Sequence, residues 1–408
     1  MSFYSSQDIK TSIIDPVYDR TNFKTLFKLD SNTTYLSNMR LLNVGVKVAN
    51  TPTYNRLVGA LGVIKRIRLM DGKTELCSLR EANRWLAFNA LRHTNSDNEC
   101  IYQPLIHNAV GSFVDDTQKV ATRITQRQIH HLEADTPKGY VDLRSVLPML
   151  NAVQSLPSEM FPNLQLEIEY ETDDAKRISS TATAATTVQP ILVVDMVVTD
   201  KVQRTMLSNF KTASWQEVEH DEFLIDAATA GAAKSTSQRI NGFNNKFLTN
   251  LLMIKTNASR AQYLNGDDVV ADGEYGSLAQ HSEKISFRVN GKNILPGAGL
   301  DRPNKQLAML NDTYGKMTTY PASNLLSLGD TAVMNARVDD GSNRRGKEAF
   351  TGIFIGDRIF DLQIEHERTG LNNDANPTQT NDQLRVHLFG QVQKSIVVKG
   401  AAYNVVYN

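Results

Sequence analysis

Arg68-Leu69-Met70-Asp71-Gly72-Lys73-Thr74-Glu75-Leu76 and Phe287-Arg288-Val289-Asn290-Gly291-Lys292-Asn293-Ile294-Leu295 are two copies of one pattern, a strand that runs into a tight turn and out again. Asp-Gly and Asn-Gly are favoured in type I′ hairpins, whose central residues both need positive φ. A later pair also recurs: Leu166-Glu167-Ile168-Glu169-Tyr170-Glu171 against Leu362-Gln363-Ile364-Glu365-His366-Glu367. The turns lie 219 residues apart (72 to 291) and the late strands 196 (168 to 364), each close to half of the 408 residues. Solenoid repeats return every ~20–50 residues, so this period marks two halves sharing one fold. The halves are assigned to 1–205 and 206–408, with the boundary between 200 and 214.

The halves read as β. Leu164, Leu166, Ile168 and Tyr170 alternate with Gln165, Glu167, Glu169 and Glu171, which predicts a strand with one face in the core and one in water. Further strand runs fall at 39–48, 63–69, 191–198, 247–254, 285–289, 352–364, 384–388 and 395–406. Many short strands separated by turns indicate sandwiches or barrels rather than alternating β and α elements. Helices are few. The best starts at Ser78 with Glu81 three residues on, a capping box, and carries Leu79, Ala82, Leu86 and Ala90 on a face widened by Trp85. A second, at 143–150, is interrupted by Pro148, and a third begins near Pro303 with Leu307 and Leu310. Polar stretches at 173–189, 226–238, 265–280, 337–347 and 369–382 read as loops available for contacts.

Composition bounds the function. At 408 residues two domains are favoured, and 41% hydrophobic with 22% charged residues is ordinary for a folded protein. The 44 basic and 44 acidic residues balance, which argues against a dedicated nucleic-acid binder. Two cysteines, Cys77 and Cys100, are too few for a disulfide framework or a zinc site and read as buried thiols. The first residues, to about Asp19, lack the apolar core of a signal peptide, and no run reaches the ~18 apolar residues of a membrane span. The sequons at Asn32, Asn257 and Asn311 read as chance matches.

Motifs for chemistry fail on inspection. Gly341-Ser342-Asn343-Arg344-Arg345-Gly346-Lys347-Glu348 fits a P-loop except at its last position, where Glu348 would repel phosphate, and a strand rather than a helix follows it. The acidic run Asp267, Asp268, Asp272, Gly273 and Glu274 places Val270 and Ala279 where a calcium loop needs ligands. His130 and His131 are neighbours, which on a strand face opposite ways, and no HExxH, Gly-x-Ser-x-Gly or paired Cys and His supports catalysis. No catalytic, cofactor-binding or metal residue is assigned.

The segment 33–46, the strand and Asp71-Gly72 turn ahead of the helix, and the passage from Val141-Asp142-Leu143-Arg144 through Leu156-Pro157 and Phe161-Pro162-Asn163-Leu164 to Glu169-Tyr170 resemble the double jelly-roll major capsid proteins of polinton-like viruses, virophages and related large DNA viruses. The resemblance is strongest over 30–200. It implies an all-β fold of two tandem eight-stranded jelly rolls with short helices in loops. It further implies a structural protein of the virion, made in the host cytoplasm or nucleus, whose homotrimers form pseudo-hexameric capsomers tiling an icosahedral shell. Partners would be other copies of itself, minor capsid or penton proteins and, weakly, the genome on the inner face. The loops at 265–280 and 337–347 would serve an outer tower or contacts between subunits. Two alternatives remain open: a trimeric receptor- or carbohydrate-binding virion protein, and a glycan-active enzyme on paired jelly rolls with carboxylates among Glu167, Glu169, Glu365 and Glu367.

Overall fold

In the computed structural model, the residues described are 8–20, 23–48, 59–93, 139–172, 185–257, 284–295, 299–301, 303–314, 350–370, 383–400 and 402–408. The first half holds β1 (Ile9–Ile14), β2 (Pro16–Arg20), β3 (Lys24–Lys28), β4 (Thr34–Leu36), β5 (Arg40–Val44), β6 (Val46–Val48), β7 (Ile64–Asp71), β8 (Thr74–Arg80), β9 (Gly139–Asp142), β10 (Ser155–Leu156), β11 (Leu164–Tyr170), β12 (Ala185–Thr187) and β13 (Ile191–Val197). The second holds β14 (Ala213–Ile225), β15 (Ala233–Ile240), β16 (Phe247–Asn257), β17 (Lys284–Val289), β18 (Lys292–Asn293), β19 (Phe350–Arg358), β20 (Leu362–Thr369), β21 (Leu384–Lys399) and β22 (Ala402–Tyr407). Among the described residues every strand pairing stays within one half, and the helix Asp200–Asn209 lies between them.

The order of pairing identifies the fold. In the second half one sheet runs β14-β21-β16-β19 and the other β15-β20-β17-β18, so its eight principal strands are arranged 1-8-3-6 and 2-7-4-5. In the first half β1, β13, β5 and β9 form the first of these series, and β3, β11, β7 and β8 the second. This is the double Greek key of a jelly roll, made twice. The first half adds β4 beside β13 and β10 beside β4, β2 beside β3 and the separate pair β12-β6; the second adds β22 beside β21. Each sandwich buries its inward side chains: Leu41, Leu192 and Val194 meet Ile67, Leu166 and Ile168 in the first core, and Leu251, Met253 and Leu388 meet Phe287 and Ile364 in the second.

The repeat exists, but in a different register from the one the letters suggest. Leu164 pairs with Asp71, the last residue before its turn, and Leu362 pairs with Val289 in the same place. The equivalent strands are therefore offset by 198 residues (164 to 362), two more than the Leu-Glu alternation indicated. A slip of two leaves every side chain on its own face. The turns differ as well. Asn290 and Gly291 both have positive φ, as type I′ requires, whereas the loop in the first half is Gly72-Lys73 with positive φ only at Gly72, the type II′ requirement.

In both halves this turn is buckled to the residue ahead of the returning strand. Asn163 N–H donates to Asp71 Oδ1 at 2.7 Å while Gly72 N–H donates to Asn163 O at 2.9 Å. In the second half Asn290 Oδ1 accepts from Phe360 and Asp361 N–H at 2.8 and 3.2 Å, its Nδ2 donates to Arg358 O at 2.8 Å, and its own N–H donates to Asp361 O.

Other expectations are corrected. The helix starts at Ala82, not Ser78: Ser78 belongs to β8, and Glu81, at φ 47°, turns the chain so that its carbonyl accepts from Arg84 and Trp85 N–H. The run 352–364 is two strands in opposite sheets, because the chain crosses the sandwich at 359–361. The runs 384–388 and 395–406 are parts of β21, sixteen residues long, and of the β22 hairpin. Half of the predicted loop 226–238 is the polar edge strand β15. The stretch 143–150 holds a 3-10 turn and one helical turn, and the third helix is Pro303–Tyr314 with Leu310 buried.

Asn290→Ala should lower unfolding stability by about 2–4 kcal/mol, the cost of several hydrogen bonds plus left-handed backbone without a compensating side chain. Asn290→Gly keeps the backbone conformation and should lose less. Urea midpoints of the two variants check this ordering.

Candidate assembly and junction surfaces

The two halves meet along a junction within the chain. β8, an edge strand of the first half, abuts β14, an edge strand of the second. At their meeting Glu217 is 1% exposed and Lys394 2%. The Glu217 carboxylate accepts from Ser78 N–H at 3.0 Å across the junction, from Trp215 Nε1 at 2.8 Å and from Lys394 Nζ at 3.0 Å. Burial pushes the Glu217 carboxyl up from its ordinary value, against the pull of Lys394 and the N–H donors. A carboxyl that holds its proton more tightly when folded contributes stability at low pH and loses it as pH rises through its folded value, so the charged pair is not itself a large source of stability. Its role is geometric, because only one seating of the halves supplies all three donors.

Around this knot the contact is apolar. Helix Ala82–His93 lays Trp85 on Phe389 (ring centroids 5.7 Å) and Phe88 against Tyr314 (5.1 Å). Phe161 packs at a tilt against Tyr403 at 4.9 Å, and Tyr403 donates its hydroxyl hydrogen to Asp71 at 2.7 Å. The outer face of β14, β21 and β16, with Val218, Phe389, Leu252 and Ile254, is thereby covered and joins the core cluster of the first half. Among the described residues, no such cover lies on the corresponding outer face of the first half, on β1, β13 and β5. Ile13 sits opposite Val193, Ile191 opposite Leu42, and Thr11 opposite Asp195. Asp195 is anchored there by Arg40 Nη2 at 2.9 Å, Asn38 Nδ2 at 2.5 Å and the Thr11 hydroxyl at 2.6 Å. Ile13 is 62% exposed, Val17 61% and Tyr18 45% on the adjoining corner.

The four carboxylates weighed for glycan chemistry are not brought together. Glu167 and Glu169 are on β11, Glu365 and Glu367 on β20, in separate sandwiches. Nor are they all solvated: Glu167 is buried and held by Arg68 and Lys24, while Glu367 is exposed beside Lys284 at 3.4 Å. The reason is that β11 is the middle strand of its five, so its polar face meets the long side chains of both neighbours. Cys77 is buried, and burial followed by the nearby Glu217 charge raises its thiol well above the usual range, as an inert thiol requires. Cys100, His130, His131, the acidic run 267–279, the P-loop-like 341–348, most of 173–189 and 369–382, and the loops 265–280 and 337–347 lie outside the described residues. Sequence reasoning missed Glu217 and Lys394, which sit 177 residues apart. It also passed over His220, Glu222 and His387, where alternation of His and Glu along β14 was the available sign. No described helix is long and apolar enough to cross a membrane.

No family model matches the sequence, and no curated protein is significantly similar to it. Solved structures are. A chain of the Sputnik virophage particle superposes with a TM-score of 0.56 at 9% identity, covering 100% of this chain and 90% of that one. The Faustovirus major capsid protein gives 0.53 at 8%, covering 98% and 93%, and the mavirus major capsid protein 0.52 at 8%, covering 99% and 93%. At such identity the likeness is one of fold, and the fold is the double jelly roll.

Lys394→Met, which strands a buried carboxylate, should cost about 3–5 kcal/mol, and the double variant Glu217→Gln with Lys394→Met should recover most of that loss. Urea unfolding of both decides it; a loss below about 1 kcal/mol in the single variant would mean that water reaches Glu217.

Proposed function

We propose that the chain is the major capsid protein of an icosahedral virus, with domains 1–205 and 206–408, and that three copies close into a capsomer of six jelly rolls. One observation carries the reading. The two halves are topologically equivalent, yet the outer face of β14, β21 and β16 in the second packs against the first, while among the described residues the matching face of the first presents Ile13 with the half-buried Val193, Ile191 and Leu42. If the second half of another copy seats on that face as the first half seats within the chain, each subunit repeats one heterologous contact. Repeating it three times closes a ring with no face left over. Six near-equivalent jelly rolls give such a ring a hexagonal outline, the shape that tiles a closed shell. The fold shared with the mavirus and Faustovirus major capsid proteins supports the same reading, as does a surface whose anchored polar cluster, Asp195 with Arg40 and Asn38, can set register inside an otherwise apolar contact.

On this reading the protein belongs to the virion, its main partner is itself, and penton or minor capsid proteins and the genome meet it only after the ring has formed. Catalysis has no part in it.

Purified protein should sediment at about three times the 45.5 kDa chain mass. Ile13→Asp with Val193→Asp should weaken the trimer at least about a hundredfold, since each side chain forfeits about 1.5–3 kcal/mol of burial and an ionised group must be desolvated. Far-ultraviolet circular dichroism of the variant should stay unchanged. A monomer at every concentration of the unaltered protein, by light scattering, sinks the reading.

A further inference from the structure

His220 and Glu222 alternate along β14 and so project from one face of the sheet, and the register places His387 of β21 directly opposite Glu222 on that same face. Three donor atoms from two strands converge as a result. His220 Nε2 lies 3.0 Å from His387 Nδ1, Glu222 Oε2 lies 3.7 Å from His387 Nδ1, and the three lie within 4.8 Å of one another. Zinc bound to imidazole and carboxylate at ~2.0–2.2 Å in a tetrahedron needs donors about 3.3 Å apart, and the two measured separations bracket that value. The third side, from His220 to Glu222, is within 4.8 Å and adjusts by rotation of Glu222, whose side chain is 45% exposed.

We infer that His220, Glu222 and His387 form a binding site for a divalent transition-metal ion, zinc suiting the donor set best, with the fourth position open to water. Two imidazoles and one carboxylate are borderline ligands that favour zinc or cobalt over magnesium or calcium. The surroundings orient the donors. Arg385 Nη1 holds Glu222 Oε1 at 2.8 Å and leaves Oε2 turned toward His387, the outer partner that a metal-binding carboxylate usually has. His387 is buried and its position is fixed by the sheet, while Glu222 gives the ion a way in from solvent. The charges nearest the site are Arg80 and Arg84 from the first half, Arg385 on β21, and Asp221 and Glu222 on β14.

Binding balances without net proton release. In the His220–His387 hydrogen bond one ring nitrogen donates and the other accepts; the accepting nitrogen is ready for the metal, and the donating ring moves its proton to its other nitrogen. The site lies beside the junction, since the His220 ring packs at a tilt against Phe389 (5.1 Å), which packs against Trp85. An ion there ties β14 to β21 where the first half rests on them. The inference stands on these side chains and does not depend on the capsid reading.

The test is titration of the full chain, free of any histidine tag, with Zn2+ by calorimetry and with Co2+ by visible absorption. One zinc per chain, a tetrahedral cobalt spectrum and a rise in thermal midpoint that magnesium does not reproduce are expected. Glu222→Gln, at an exposed position that the fold tolerates, should weaken zinc binding more than tenfold, and His220→Ala or His387→Ala more than about a hundredfold, beyond the loss typical of an outer partner. Absence of saturable binding, or binding equally tight in Glu222→Gln and His220→Ala, overturns the site.

Discussion

A carboxylate sealed from water at the seam of two sandwiches must find its donors in protein, and Glu217 draws them from both sides. Ser78 N–H comes from the edge of the first half, Trp215 and Lys394 from the second. Hydrophobic contact alone, as between Trp85 and Phe389, tolerates sliding, because apolar burial has no direction. The carboxylate removes that freedom: a shift of one residue along β8 would present a carbonyl or a side chain where the N–H is needed. The relative placement of the halves is the premise from which any ring geometry follows, and it rests on this junction.

The internal duplication has a mechanical side. In each half the turn between the fourth and fifth principal strands is clamped to the residue ahead of the seventh, through Asp71 and Asn163 in one and Asn290 and Asp361 in the other. The chemistry has diverged while the connection persists. The first half ties its clamp to the partner sandwich as well, since Tyr403 donates to Asp71. The second half's clamp instead grips the crossover 358–361, whose Phe360 is exposed. One corner has become part of a seam and its twin part of the outer surface.

Much of the architecture was legible because a β-sandwich writes period two into its strands. Leu164 to Tyr170, Ile191 to Val197 and Ile285 to Val289 carry the inward side chains that the alternation indicates. Legibility failed where a strand is buried on both faces. In β21, Leu388 points into its own core while Phe389 faces the other half, so alternation vanishes and sixteen residues read as two fragments. It failed again at Ser78, whose capping-box spacing is genuine but whose N–H is engaged by Glu217, a residue 139 positions away. The polar knot and the His220, Glu222 and His387 cluster were invisible for the same reason: pairing between distant strands brings together residues that no local window compares. The jelly-roll resemblance anticipated the topology, but not the register, which lies two residues from where matching letters place it.

β15 has a different lesson. Among the described residues it is an edge strand whose outer row of backbone donors and acceptors meets no other strand, and its sequence, Ala-Lys-Ser-Thr-Ser-Gln-Arg-Ile, is almost wholly exposed. A bare edge of this length invites another chain to add a strand, the first step toward fibres. Hydroxyls and amides with Lys234 and Arg239 make that addition unprofitable, since an incoming strand would have to strip water from charged side chains. Wherever many copies of a chain crowd together, orderly packing and fibrillation compete, and the hydrated side chains of β15 weigh against the second before any specific contact forms.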